Sequence, residues 1–340
     1  MRENLKHMKI YRSPSEGILN LANNENHYSS WNKDLNNEFN DAMGQLRILE
    51  YGPDVHYQLV EAYAKYAKVE SRQIMVGSGT DSIIPLLIQA ISSKTILTLE
   101  TDFFRYSQQA EIINRQNIKV SNSKNMYDEI IKQVKLNDVE LIILSNPNNP
   151  LGLVHKKEDL LKILDNVACH VIIDEAYWEF CNETMVSYLE KYPKLIILRT
   201  MSKAWGIANL RIGFALAHSD LINYLMAIQG PFTISCLNAN LATEVLKNEA
   251  KMKEMVSKIL VQRQRLTEFL VSYLNIKVYE SKTNFIYFEH EKALEIQQKL
   301  MAKKILVGCF PPLGLRITIG NERGNTKLIE ALAKILEEVA

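Results

Sequence analysis

Short apolar runs alternate with helix-like segments from about residue 70 onward. Each run is bounded by turn signals, and a segment typical of an amphipathic helix separates it from the next. Strands buried on both faces form continuous apolar runs, and helices between them make the crossovers of a parallel sheet. The pattern therefore predicts an α/β doubly wound fold. The predicted strands are 73–76, 95–99, 118–120, 140–144, 170–174 and 195–200, and the predicted helices are 81–91, 105–115, 127–134 and 156–167.

The pattern changes after about residue 230. The segment 237–274 contains no Pro or Gly, so it predicts a long helix that continues or breaks once. Shorter strands and helices follow, which predict a smaller α+β domain that the long helix joins to the first. We expect an arm at 1–45 that has one helix and packs with the small domain and the substrate site, a large domain at 46–235 and a small domain at 236–340. The small domain's predicted segments are strands at 276–280, 284–290, 305–310 and 315–320, and helices at 293–303 and at the C-terminus.

Composition narrows the possible partners and compartment. The 340 residues carry a formal net charge of +1, so no excess charge favours a nucleic acid, a membrane surface or a polyanion. The four cysteines form no CxxC pair, which fits a reducing cytosol better than a disulfide framework. The N-terminal segment lacks the apolar run of a signal peptide, and no stretch approaches the ~18 apolar residues of a membrane span. We expect a cytoplasmic protein.

Polar residues follow four predicted strands, at the edge where open α/β sheets bind ligands. GSGTDS (77–82) predicts a backbone anion site at a helix N-terminus, and SNPNNPLG (145–152) predicts a rigid loop with exposed amides. Asp174 ends an apolar strand and needs a cationic partner, and Lys203 follows the next strand, with Arg211 shortly after. Singly, these features also fit a capped turn, a plain loop, a structural ion pair and a solvated lysine. Together they form a set that could hold a pyridine ring with a phosphate, an aldehyde and a phenolic oxygen.

The order of these motifs, GTD, NPNNPLG, DEAY and SKAWGIANLRIG, resembles the class I/II aminotransferases of fold type I. Within them, the chain is most similar to the histidinol-phosphate aminotransferase branch. LANNENHY matches the N-terminal arm of that branch, EYGPD matches its Tyr-Pro segment and LRITIG its C-terminal strand, so that the matches extend from Leu21 to Gly320. The resemblance implies pyridoxal 5'-phosphate as the cofactor and a large cofactor-binding domain with a mainly parallel sheet flanked by helices. It also implies a smaller α+β C-terminal domain and a homodimer with shared active sites.

The resemblance further implies roles around the cofactor ring. Lys203 would form a Schiff base with the cofactor and later act as general base and acid. Asp174 would keep the ring nitrogen protonated, which makes the ring an electron sink. Tyr177 and Asn149 would hydrogen-bond the phenolic oxygen, and Phe103 would stack on the ring.

The resemblance also implies a phosphate site and a substrate site. Tyr51 would reach the phosphate of the neighbouring subunit's cofactor. Arg316 would bind the anionic group of the substrate, and Asn24 and Tyr28 of the arm are further substrate-binding candidates. No metal is implied, and Tyr106 matches a further aromatic near the ring. The implied phosphate-binding residues are Gly79, Thr80, Asp81, Thr200, Ser202 and Arg211, of which the arginine can donate two bonds at once.

Three positions depart from the pattern of the branch. Gly308 stands where the branch usually has a second arginine, which removes one contact to an anion. Thr101-Asp102-Phe103 keeps the aromatic but lacks the usual proline, and His27 replaces a proline of the arm. These departures leave the substrate open between a small amino acid and an amino-alcohol phosphate.

Three functions are compatible with the resemblance. The first is an aminotransferase that moves an amino group between such a donor and a 2-oxo acid, for example 2-oxoglutarate. The second is a decarboxylase of a phosphorylated serine or threonine, which would share every cofactor-binding residue. The third is a cofactor-binding transcription regulator, which the short polar arm and the absence of basic excess disfavour. We expect the aminotransferase.

Overall fold

The computed structural model describes residues 5–8, 16–45, 55–273, 276–310 and 314–339. Its strands are β1 (Leu19–Leu21), β2 (Ile74–Ser78), β3 (Thr95–Leu99), β4 (Gln116–Val120), β5 (Leu141–Ser145), β6 (His170–Asp174), β7 (Leu195–Thr200), β8 (Ile212–Ala217), β9 (Lys277–Val278), β10 (Phe285–Glu289), β11 (Ile305–Phe310) and β12 (Gly314–Thr318). Its helices are α1 (Trp31–Asp34), α2 (Asn36–Gln45), α3 (Val55–Ala67), α4 (Thr80–Ile91), α5 (Arg105–Ile112), α6 (Met126–Leu136), α7 (Lys157–Asn166), α8 (Ser219–Ile228), α9 (Cys236–Leu246), α10 (Glu249–Val271), α11 (Ala293–Ala302) and α12 (Glu322–Val339).

The larger sheet has seven strands in the order β2-β8-β7-β6-β5-β3-β4. Strand β8 runs antiparallel to both of its neighbours, and the other ladders are parallel. Because the parallel strands share one direction, their carboxyl ends meet at one edge. The sequence predicted the parallel part of this sheet, with β4 beginning two residues earlier than expected.

Both faces of the larger sheet are covered. Every residue of β5 is buried, and alternate side chains enter two separate apolar cores. Ile142 and Leu144 pack in the core that also contains Ile130 of α6 and Leu160 of α7. Leu141 and Ile143 pack in the other core, with α4 and α8. This two-sided burial explains why the strands are continuously apolar.

The smaller sheet has five strands in the order β1-β11-β12-β10-β9. Strand β1 pairs in parallel with β11, placing Leu19 opposite Ile305, and the remaining ladders are antiparallel. The arm therefore supplies an edge strand to a sheet built from the end of the chain. The division into arm, large domain and small domain stays a prediction.

The long helix predicted at 237–274 is broken once. Helix α9 ends at Leu246 and α10 begins at Glu249, with Asn248 as the residue that precedes α10. The asparagine side chain donates to the Glu244 carbonyl, four residues back. This bond satisfies one of the terminal carbonyls that a helix end leaves open.

The arm contains two short helices where the sequence predicted one. Helices α1 and α2 are separated by Leu35, and the Trp31 indole donates to the Trp205 carbonyl at 2.6 Å. Asn26 donates to the Ala204 carbonyl at 2.8 Å. These bonds hold the arm on the loop that follows β7.

Two further properties concern the part of the chain described above. No helix within it is long and apolar enough to cross a membrane. No group of three or more His, Cys, Asp or Glu side chains within it is arranged to hold a metal ion.

Candidate active site

The predicted site residues lie at the carboxyl edge of the larger sheet. Asp174 is the last residue of β6, and Lys203 follows β7. Asn149 follows β5, and Phe103 follows β3. Arg211 precedes β8, whose reversed direction brings its first residue to the same edge. Neighbouring strands therefore place these side chains around one cleft.

Lys203 contacts the arm. Its Nζ donates to the Asn23 carbonyl at 2.9 Å and lies 6.0 Å from the centre of the Tyr177 ring. Burial, followed by the positive charge of Arg316, lowers the pKa of Lys203 to about 8. A substantial fraction of this amine is therefore neutral near physiological pH, as a nucleophile or a general base requires.

Asp174 is 4% exposed and is held by two donors. The Tyr106 hydroxyl donates to Oδ2 at 2.7 Å, and the Ala176 N–H donates to Oδ1 at 3.1 Å. Burial raises the pKa of Asp174 to about 6, and the two hydrogen bonds limit the rise. The group is thus a carboxylate at neutral pH, suited to pair with a protonated ring nitrogen.

The Tyr177 hydroxyl oxygen accepts hydrogen bonds from two side-chain amides. Asn24 Nδ2 donates to it at 2.9 Å and Asn149 Nδ2 at 3.5 Å. Burial raises the pKa of Tyr177, so the phenol is neutral at physiological pH. Asn24 also accepts from the Thr318 hydroxyl at 3.1 Å, which ties the arm, the larger sheet and the smaller sheet together at this point.

Gly79 and Arg211 form a cradle before helix α4. Gly79 has a φ of +69°, and a Cβ at this residue would lie 2.5 Å from Arg211 Nη2. The same nitrogen donates to Asp81 Oδ2 at 3.2 Å. Nearby, the Thr200 and Ser202 hydroxyls are 2.9 Å apart. Hydroxyls, a guanidinium and a helix N-terminus beginning at Thr80 are the donors that a phosphate requires.

Arg316 approaches the cleft from β12 and is 8% exposed. Its Nη1 donates to Asn149 Oδ1 and its Nη2 to the Ala22 carbonyl. The guanidinium carbon lies 4.6 Å from the centre of the Phe310 ring and 5.4 Å from that of Phe285. Arg316 therefore presents a positive charge between two aromatic rings.

Three predicted residues require separate description. The Phe103 ring packs edge-on against Tyr106, with 5.6 Å between ring centres. The Tyr28 hydroxyl lies beside Glu322 of α12, and its role in substrate binding stays a prediction. Tyr51 lies outside the described residues.

Asp102, for which no role was predicted from the sequence, bonds to residues of the cleft. Its carboxylate accepts from the Phe103 N–H at 2.7 Å, and from both the N–H and the hydroxyl of Ser145. The Ser145 oxygen in turn accepts from the Asn149 N–H at 3.0 Å. Burial raises the pKa of Asp102 to about 7. The feature of the sequence that pointed to Asp102 is its place in Thr101-Asp102-Phe103, the segment that lacks the proline usual in the branch.

A buried ion pair lies directly behind Asp174. Glu175 and Arg199 are 0% and 1% exposed, and Arg199 donates to Glu175 Oε2 through Nη2 at 2.9 Å and Nε at 3.1 Å. The Met185 N–H donates to the other carboxylate oxygen at 2.7 Å. Arg199 also lies over the Trp178 ring at 3.9 Å. This network fixes the backbone that follows Asp174.

These residues fit a phosphorylated pyridine aldehyde. The cradle at Gly79 has room for Arg211 only because a side chain is absent there, and the buried Asp174 carboxylate has the charge that a pyridinium requires. The amine of Lys203 lies in the same cleft and can condense with an aldehyde. Fold and site together define a pyridoxal-phosphate-dependent enzyme of fold type I.

Comparison with known proteins identifies the family. The sequence profile described as Aminotransferase class I and II matches residues 16–332, and the chain belongs to this family. It is 35% identical over 306 residues to a histidinol-phosphate aminotransferase of Caldanaerobacter subterraneus subsp. tengcongensis, covering 87% of each chain. It is 32% identical over 344 residues to one of Clostridium novyi, covering 97% of this chain and 96% of the relative.

Solved structures share the fold. The histidinol-phosphate aminotransferase of Clostridium acetobutylicum has a TM-score of 0.86 at 26% identity, over 94% of this chain and 100% of that chain. The Sinorhizobium meliloti enzyme of the same name, in complex with pyridoxal-5'-phosphate, has a TM-score of 0.87 at 21% identity, over 95% of this chain and 92% of that chain. The predicted fold class, cofactor and enzyme class are confirmed: the protein is a pyridoxal-phosphate-dependent aminotransferase.

Proposed function

We propose that this aminotransferase moves an amino group from a donor with an anionic group, bound at Arg316, to a 2-oxo acid, with Lys203 as the catalytic amine. The observation that carries the proposal is the position of the Lys203 amine. It is desolvated, its pKa is lowered to about 8 by burial and by the charge of Arg316, and it lies 6.0 Å from the centre of the Tyr177 ring. An amine in this position can take a proton from the substrate and return it at another atom.

The other side chains hold and orient the reacting groups. When bound, the cofactor supplies an electron sink for the carbon that loses its proton. Asp174 keeps a proton on the ring nitrogen, because its buried negative charge is best compensated by a positive one. Asn149 and Tyr177 bind the phenolic oxygen, and Arg211 with the backbone at Gly79 binds the phosphate. Phe103 covers one face of the ring and excludes water.

Arg316 selects the substrate through its anionic group. Candidate donors are a small amino acid or an amino-alcohol phosphate, with a 2-oxo acid such as 2-oxoglutarate as the acceptor. The relatives are named histidinol-phosphate aminotransferases, so histidinol phosphate is the first phosphorylated donor to test. Asn24 lies beside the same cleft and is a further substrate contact.

We further propose that the active unit is a cytoplasmic homodimer in which Tyr51 reaches the neighbouring subunit's phosphate site. Phe39, Met43 and Tyr57 flank the segment around Tyr51 in the chain, and their side chains are 42%, 43% and 65% exposed. Large exposed apolar side chains in this part of the chain favour an interface. All four cysteines are unpaired, as is typical of a reducing compartment.

The test is a half-reaction monitored in the visible spectrum. The reconstituted enzyme is mixed with one amino donor at a time and no 2-oxo acid. We expect one donor to convert the lysine-bound cofactor band to that of the aminated cofactor. Lys203→Ala is the matched control and should lack the lysine-bound band. Release of carbon dioxide with recovery of the band would instead establish a decarboxylase, and absence of any cofactor band would overturn the proposal.

A further inference from the structure

One face of the smaller sheet forms the substrate end of the cleft. Arg316 on β12 lies directly opposite Gly308 on β11 and opposite Tyr287 on β10. Residues that are directly paired in antiparallel strands point to the same face of the sheet. The position beside Arg316 that could carry a second cation is therefore occupied by a glycine.

Phe310 occupies the space next to this glycine. A Cβ built at Gly308 would collide with Cε2 of the Phe310 ring. The same ring lies 4.6 Å from the Arg316 guanidinium, and the Phe285 ring lies 5.4 Å away. Two aromatic rings therefore flank the Arg316 guanidinium, whose terminal nitrogens bond to Asn149 and to the Ala22 carbonyl.

The positive charges of the cleft are divided between its two ends. Among the strongest influences on the Lys203 amine, the positive charges are those of Arg316 and Arg211. Arg211 belongs to the cradle of Gly79, where it pairs with Asp81. Among the residues that the structure describes, Arg316 is the other positive charge that strongly influences the Lys203 amine, and it lies at the substrate end.

One guanidinium between aromatic rings suits a particular kind of anion. A carboxylate has one negative charge and matches the planar fork of an arginine. A phosphate monoester has about 1.5 to 2 negative charges at neutral pH, so a single arginine in a partly dry cleft leaves part of that charge uncompensated. Specificity is the difference between these two binding free energies.

We infer that the amino donor is an amino acid with a single carboxylate, bound by Arg316, and an uncharged apolar side chain that packs on Phe310. Gly308 supplies no second cation beside Arg316, so a phosphorylated amine should bind less tightly than such an amino acid. The acceptor uses the same cleft, so a 2-oxo acid with one carboxylate is preferred to 2-oxoglutarate. This inference rests on the proposed aminotransferase function.

The experiment compares donors with the intact holoenzyme. Rate constants of the half-reaction are measured for L-phenylalanine, L-leucine, L-glutamate and histidinol phosphate. We expect the second-order rate constant of L-phenylalanine or L-leucine to exceed those of L-glutamate and histidinol phosphate by about tenfold or more. A difference of this size corresponds to one contact to a charged group that the two charged donors lack. Histidinol phosphate or glutamate as the best donor would overturn the inference and leave the proposed function intact. No reaction with any donor would count against the proposed function itself.

Two variants test the residues named. Gly308→Arg should shift the preference toward the charged donors by about tenfold, whereas Val261→Arg, which adds the same charge on the exposed surface of α10, should not. Because Gly308→Arg displaces Phe310 and could prevent folding, Phe310→Ala is the second variant. It should weaken binding of 3-phenylpropionate, measured from the shift of the cofactor band, by about fivefold or more. Unchanged binding in Phe310→Ala would contradict the packing role, whatever Gly308→Arg does.

Discussion

The Tyr106 hydroxyl donates a 2.7 Å hydrogen bond to Asp174 Oδ2 in the buried floor of the cleft. Tyr106 is itself fully buried and belongs to α5, while Asp174 ends β6. The bond stabilises the charged form of the carboxyl against the cost of burial. It also connects Phe103, whose ring contacts Tyr106, to the carboxylate that we propose pairs with the ring nitrogen.

We predict that Tyr106→Phe slows the half-reaction by about tenfold, because a hydrogen bond to a charged group contributes about 1.5–3 kcal/mol. Loss of the bond raises the pKa of Asp174 above its present value of about 6. Below its pKa the carboxyl is neutral, so the acid limb of the pH–rate profile should move to higher pH. Tyr127→Phe, which removes a hydroxyl bonded to His155, is the control. Identical profiles for Tyr106→Phe and the unmodified enzyme would contradict the role of this bond.

Capture of the cofactor by the cofactor-free protein should depend on the ionisation of Lys203. Burial lowers the pKa of this amine to about 8, and only the neutral amine reacts. The rate of capture should therefore rise about tenfold per pH unit below that value and level off above it. Arg316→Gln should move the break to higher pH, because a positive charge that disfavours the ammonium is removed. Stopped-flow absorbance measures the capture rate in the unmodified protein and in Arg316→Gln. A capture rate that continues to rise through about pH 10 would refute Lys203 as the reacting amine.

Gly79→Ala should weaken cofactor binding by tenfold or more. The new Cβ would lie 2.5 Å from Arg211 Nη2, and the φ of +69° is costly for a residue with a side chain. Gly230→Ala is the matched control, because a Cβ there meets nothing within 4 Å. Titration of the cofactor against the two variants gives the dissociation constants, and equal values would show that the cradle does not bind the phosphate.

Glu175→Ala should destabilise the fold by about 3–5 kcal/mol, because it leaves the charge of Arg199 buried without its carboxylate. Urea unfolding measures the loss. The double variant Glu175→Leu with Arg199→Met should recover part of it, since no charge then remains buried. In contrast, Glu254→Ala breaks an exposed pair with Lys258 on α10 and should leave the unfolding midpoint unchanged. A small effect of Glu175→Ala would mean that Arg199 finds another partner.

The sequence predicted most of the larger sheet because each strand is a local signal. Strands β3 and β6 were predicted at their observed bounds, since both are apolar runs buried on two faces. Strand β1 was missed because it has three residues, one of them polar, and its partner Ile305–Val307 lies far along the chain. The place of the helix break at Asn248 was also not predicted, because neither Pro nor Gly marks it.

The cleft was predicted in outline for a related reason. Residues that directly follow strands were found because the strands fix where they lie, as for Asp174 and Lys203. Their hydrogen-bond partners were not found. Tyr106 is 68 residues from Asp174, and Asn23 is 180 residues from Lys203, so no local pattern connects either pair. The roles of these side chains in catalysis stay predictions.

The pairing of β1 with β11 has a consequence for folding during synthesis. The partner of Leu19, Ile305, is synthesised 286 residues after it. At about 5–20 residues per second, the arm waits roughly 15–60 s before its strand can be paired. A nascent chain can assemble the larger sheet within that time. The Asn23 carbonyl, which accepts a hydrogen bond from the Lys203 amine, is fixed only when the arm is paired. The catalytic centre is thus completed only after residue 305 has been synthesised.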